Sequence, residues 1–223
     1  MGWFSRKTNS GDDAPRNGQA AQDLTQADLV RDQLAQSAEH DLGVRANGPF
    51  DESEVDGIGE RLDAGSLWIP LIPEAQVQFT GDRRTGQLLG LVYAIDGSAL
   101  QIQAFAAPRS RGLWDAVRGD IMTSIASQGG TSQVVEGEFG PELHARMPVP
   151  DSTSLAPHRF IGIDGPRWLL RATLYGKAGG DDEAAHELLE IVRQVVVARG
   201  QSPHPPRELL PLSVPQPAKR ERS

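Results

Sequence analysis

At 223 residues, with 38 % apolar content, 24 glycines and 16 prolines, the chain is long enough for one substantial core but too rich in turn formers to be packed throughout. The net charge of −8 sits mostly in the first 63 residues, where 13 Asp and Glu face 6 Lys and Arg, so the near-neutral remainder offers no field for a phosphate backbone and argues against nucleic-acid binding. The absence of cysteine excludes disulfides, thiolate chemistry and Cys-based zinc sites, and no apolar run approaches the ~18 residues of a membrane span, so a cytoplasmic location is expected.

Residues 1–48 read as a disordered acidic leader, because their apolar side chains are too sparse to offset the entropy of ordering. A short helix is expected within it over residues 25–40, with Thr25 as cap and Leu29, Val30 and Leu34 on one side. A single α+β domain is expected over 49–214, with regular structure from about Gly65. SLWIPLI and AQVQFTGD read as strands, with Pro70 and Pro73 marking a break. Around Asp96-Gly97, a two-residue hairpin turn places Tyr93 opposite Leu100, Leu91 opposite Ile102 and Leu89 opposite Ala104, all on one face.

The period then changes from two to about 3.6. Trp114, Val117, Ile121 and Ile125 form a helical stripe that Gly129-Gly130 stops. SQVVEGEFG and ELHARMPV read as short strands joined at Gly140-Pro141, followed by a loop, DSTSLAPH, and then by strands RFIGID and RWLLRATLYG. In the last strand Trp168, Leu170, Ala172 and Leu174 alternate with Arg167, Leu169, Arg171, Thr173 and Tyr175. Pro166 has no N–H to close a two-residue turn after Asp164-Gly165, which predicts a longer loop.

A second helix opens on Asp181, Asp182 and Glu183, carries Ala185, Leu188, Leu189, Val192, Val195 and Val196 on its stripe, and ends at Gly200. Leu209, Leu210, Leu212 and Val214 of the Pro-rich tail can drape over the domain, and residues 215–223 are expected to be disordered. The expected fold is therefore α+β: a mainly antiparallel sheet with two amphipathic helices on one face. The likeness of VYAIDGSALQIQAFA to FIGIDGPRWLLRATLYG, each ahead of a helix, raises a duplicated ββα unit.

Chemical motifs are few. GDRRTG has the glycine spacing of a phosphate loop but lacks the Lys and Ser/Thr that must follow, so it reads as a turn. The five histidines are scattered, with no HExxH; Glu142 and His144 share a strand face and can act as two metal ligands or as an ordinary surface pair. No GxSxG elbow, no catalytic motif and no cofactor signature is found. What remains is arginine beside aromatics at strand ends, in APRSRGLW and RFIGIDGPRWLLR, a pattern that holds carboxylates or phosphates bidentately or braces a fold. Arg109, Asp164, Arg167 and Arg171 are the candidate binding residues. This points to a non-enzymatic binding or adaptor module for a protein partner, with a small-molecule site for an anionic ligand, or an unrecognised enzyme, as the alternative.

The blocks GPFDESEVD, LDAGSLWIP, LQIQAFAAPRSRGLWDAVRGDI, GEFGPELHARMPV, RFIGIDGPRWLLRATLYG and VVVARGQSPHPPRELLPLSVP, running from Gly48 to Pro215, resemble an actinobacterial family classed only as a domain of unknown function. The resemblance implies a bacterial, cytoplasmic protein with one core and variable ends. It brings no activity, cofactor or site residues.

Overall fold

The computed structural model describes residues 43–109 and 112–215. The helix expected at 25–40 and most of the expected leader and tail lie outside the described residues. In chain order the strands are Phe50–Asp51 (β1), Leu62–Asp63 (β2), Leu67–Ile69 (β3), Gln76–Gly81 (β4), Leu88–Ile95 (β5) and Ser98–Ala106 (β6). Helix α1 spans Trp114–Ser127, and Thr131–Gly137 (β7), Gly140–Pro148 (β8), Leu155–Gly165 (β9) and Trp168–Gly176 (β10) follow. Helix α2 spans Asp182–Gln194 and leads into Val196–Val197 (β11). The fold is α+β, as its alternating and helical spacings predict.

The larger sheet is antiparallel throughout, in the order β4-β5-β6-β10-β9-β8-β7; the smaller runs β1-β11-β3-β2, with β1 and β11 parallel. The β5–β6 hairpin has the expected register, Tyr93 opposite Leu100 and Leu91 opposite Ile102, about a turn in which Asp96 and Gly97 both have positive φ. The ladder stops there, so Leu89 does not face Ala104. Gly90 lies so close to β6 that a Cβ on it would stand 2.8 Å from Gln103 Cγ, and the Gln103 amide donates to Leu89 O at 2.7 Å. The C-terminal tail takes the place that β5 leaves: Leu210 N donates to Ala104 O, Arg207 N to Ala106 O and Ala106 N to Glu208 O. Leu210 is buried in the core, whereas Val214 stays exposed.

Strand parity separates the two faces of the sheet. One carries Leu91, Tyr93, Leu100, Ile102, Ile161, Ile163, Trp168, Leu170 and Leu174, which join Leu188, Leu189 and Val192 of α2 and Leu67 and Ile69 of the small sheet in the main core. The other carries Phe105, Phe160, Leu169, Leu143 and Ala145, and these pack against Trp114, Val117, Ile121 and Ile125 of α1. The helices therefore cover opposite faces of the sheet, not one face. Leu169 is the physical reason: it stands on the face with Arg171, and its full burial needs a cover of its own. A duplicated ββα unit fails on the same ground. The strand order β5-β6-β10-β9 looks two-fold, but such an axis normal to the sheet would put both helices on one side.

Three local expectations also shift. The β9–β10 connection is a two-residue turn after all, moved on by two, with Gly165 opposite Trp168; Pro166 takes the position that needs no N–H, and Arg167 takes φ 63°. Helix α2 ends at Gln194 because the β-branched run Val195-Val196-Val197 turns extended and enters the small sheet. Packing also reaches back before Gly65: the Asp51 carboxylate accepts the Trp168 indole N–H at 2.8 Å and caps a short 3₁₀ turn, while buried Arg45 lies 5.5 Å above the Trp168 ring and pairs with Glu54 at 2.6 Å.

Candidate functional site

The four residues singled out from sequence do not converge on one point. Asp164, on β9, accepts backbone N–H bonds from Leu113 at 2.6 Å and Trp114 at 3.1 Å, so its carboxylate caps the start of α1. Gly112 is required beside it, since a Cβ there would lie 2.4 Å from Asp164 Oδ2. Arg171 lies along the sheet: it donates to the Gln103 side-chain oxygen and its guanidinium sits 5.1 Å above the Phe105 ring, and burial pulls its pKa below the ordinary arginine value. Both residues are engaged in holding the fold.

Arg109 and Arg167 are each linked to a third residue that sequence reasoning missed, Arg199. The left-handed turn at Arg167 aims its carbonyl outward, where it accepts the Ala107 N–H at 2.9 Å and the Arg199 Nε–H at 3.1 Å. The first bond draws in the chain that leads to Arg109; the second fixes Arg199. Arg199 is further held by the carbonyls of Gly200 and Ser202, at 3.2 and 3.3 Å. Partial burial and then the charges of Arg167 and Arg109 depress its pKa, so both of the other arginines act on Arg199. Arg199 stands in VVVARG, where nothing local marks it; only the hydrogen bond across the two sheets reveals its role.

Among the described residues, none of these three arginines is ion-paired. Two carboxylates of the same hollow are hydrogen-bonded elsewhere: Asp51 accepts from Trp168 and Ser53, and Glu52 from the Gly200 N–H at 3.2 Å. Arg167 and Arg199 line an open hollow of ≈ 550 Å³ with Asp51, Glu52, Ser53, Pro166, Gly200 and Gln201. Arginines held close together repel one another, and an anion that pairs with them relieves that repulsion.

A family model described as "Protein of unknown function (DUF3710)" matches residues 48–221. The chain belongs to this family. No curated protein and no solved structure matches it. The family match runs through Arg109, Arg167 and Arg199, so all three stand within the family's shared region and not in the residues before it.

Other groupings are accounted for structurally. GDRRTG is the β4–β5 turn, closed by Asp82 accepting from the Arg84 and Thr85 backbones at 2.7 and 3.3 Å. Glu142 and His144 bond to each other on one strand face. Glu138, His186 and Glu190 bring three ligand-type atoms within 4.8 Å, the spacing of a metal centre. Arg193 occupies that point in the cation's stead, 2.5 Å from Glu138 and 3.0 Å from Glu190, so the charge a metal would supply is already present.

Proposed function

We propose that the protein is a non-enzymatic binding module whose arginine cluster, Arg109, Arg167 and Arg199, captures an acidic segment of a protein partner. The observation that supports this is an open hollow lined by Arg167 and Arg199, neither ion-paired among the described residues, with the charge of Arg109 also reaching Arg199. A planar guanidinium suits carboxylates bidentately, and an extended acidic peptide can engage three of them in turn, which a single small carboxylate cannot. Residues 49–214 are taken as the binding domain, between variable ends. A cytoplasmic, actinobacterial setting belongs to the same reading; the cysteine-free, Arg-rich composition and the blocks from Gly48 to Pro215 support it.

The test is fluorescence anisotropy with a labelled oligoglutamate peptide. Saturable binding that weakens steeply with salt is expected, and Arg109→Glu with Arg199→Glu should abolish it while near-UV circular dichroism stays native. No binding, or binding that survives the double reversal, refutes the reading.

A further inference from the structure

A second polar cleft of ≈ 500 Å³ opens at the far end of the β9–β10 hairpin, where β7, β8 and β9 meet the start of α2. Register sets its floor: His144 pairs with Gln133 on one side and Arg159 on the other, so the three form a row across the sheet, with Arg146 one step along the same face. His144 is oriented by buried Glu142 behind it. The roof is the backbone of Gly179 and Gly180, and a Cβ on Gly179 would stand only 2.1 Å from Pro157 O, so only glycine permits this approach. The start of α2 reaches the mouth at Asp182; the Ala184 N–H is capped by the Asp181 carboxylate at 2.9 Å, which leaves the Asp182 and Glu183 N–H groups and the positive end of the dipole on that side.

Arg159 is the unusual member. Its side chain is 9 % exposed and its Nε is buried with no acceptor among the described residues. Its ion-pair partner, Asp182 at 2.5 Å, has a side chain 94 % exposed. A buried cation in a cleft is thus balanced by a carboxylate that stands in water on the rim and is free to swing away. The Arg159 hydrogen bond, then its charge, hold the Asp182 carboxyl below its usual range, so the carboxylate is ionised and occupies the place of an anion.

We propose that this cleft binds a phosphate monoester, with Asp182 as an internal competitor that the ligand displaces from Arg159. A tetrahedral dianion can meet donors from separate elements, namely Arg159, Arg146, Gln133 and the first amides of α2; a planar carboxylate gains little that Asp182 does not already provide. This site is independent of the Arg109, Arg167 and Arg199 cluster at the opposite end of the hairpin.

The test is a titration of the full chain with inorganic phosphate and with phosphoserine, read by ¹H–¹⁵N shifts at Gly179, Gly180 and Glu183, with acetate alongside. Saturable shifts with both phosphates and weaker ones with acetate are expected. Arg159→Gln should abolish them, and Asp182→Asn should tighten binding about two- to fivefold by removing the competitor, the range set by an exposed ion pair. Should Arg159→Gln fail to fold, Asp182→Asn still decides, because its side chain lies in solvent. Unchanged or weaker phosphate binding in Asp182→Asn, equal response to acetate, or loss of the shifts in Arg109→Glu overturns the proposal.

Discussion

Gly162 on β9 lies directly beneath Trp114, and a Cβ built on it would stand 2.1 Å from the indole Cδ2 and Cε3. At Gly162 the β9 backbone is paired with Arg171 of β10, and two residues earlier Phe160 is paired with β8 as well, so the strand has little room to retreat and Gly162→Ala must expel the indole. Trp114 is 5 % exposed and donates its Nε1–H to Pro141 O at 2.6 Å. Displacing a buried indole removes roughly 150–250 Å² of burial, worth about 4–6 kcal/mol at ~25 cal/mol per Å² as an upper bound. Partial re-docking lowers the expected loss to about 3–5 kcal/mol. Urea denaturation followed by tryptophan fluorescence measures it. Gly119→Ala on the same helix is the control: nothing lies within 4 Å of its added Cβ, so it should stabilise by up to about 1 kcal/mol. A loss below about 1 kcal/mol for Gly162→Ala would contradict the packing of α1 on the face opposite α2.

Arg167→Gly should separate binding from stability: relief of the left-handed φ of 63° stabilises the fold by about 1 kcal/mol, while oligoglutamate affinity falls. Asp51→Ala strips the Trp168 indole of its acceptor and the 3₁₀ turn of its cap, for a loss of about 2–3 kcal/mol in chemical denaturation. The Glu138 hydrogen bond and then its charge raise the pKa of His186 above 6.5, reinforced by Glu190 and opposed by Arg193. Its contribution is therefore complete below pH 6.5 and is lost as pH rises through the folded value. An NMR titration should find the His186 midpoint above 6.5 in the native chain and lower in Glu138→Gln; an unmoved midpoint would remove Glu138 as the cause.

Periodicity made the sheet and helices legible. Leu91, Tyr93, Leu100 and Ile102 alternate cleanly, Asp96-Gly97 names its own turn, and the stripe of α1 is as spaced, as is that of α2 up to Val192. Which face each helix takes was not legible, because β10 is apolar on both: Trp168 and Leu170 on one side, Leu169 on the other. Hydrophobic patterning tells that a face is covered but not by what. The end of the β5–β6 ladder at Leu91 and the replacement of β5 by the tail depend on contacts between segments more than 100 residues apart in sequence, Ala104 with Leu210 among them.

The candidate site was half legible for a related reason. An arginine in a strand-end loop carries the same local signal whether it braces or binds. Asp164 proves to be a helix cap and Arg171 lies along the sheet, whereas Arg109 and Arg167 have no carboxylate partner among the described residues. Arg199 joins them through a main-chain carbonyl 32 residues away, and no spacing rule marks such a bond.

The most direct test of the binding account is to follow the arginine Nε–Hε resonances during titration with oligoglutamate. Saturable shifts at Arg109, Arg167 and Arg199 together, with Arg171 unmoved, are the predicted result. Shifts confined to other arginines, or none at a peptide excess that saturates anisotropy, would contradict it.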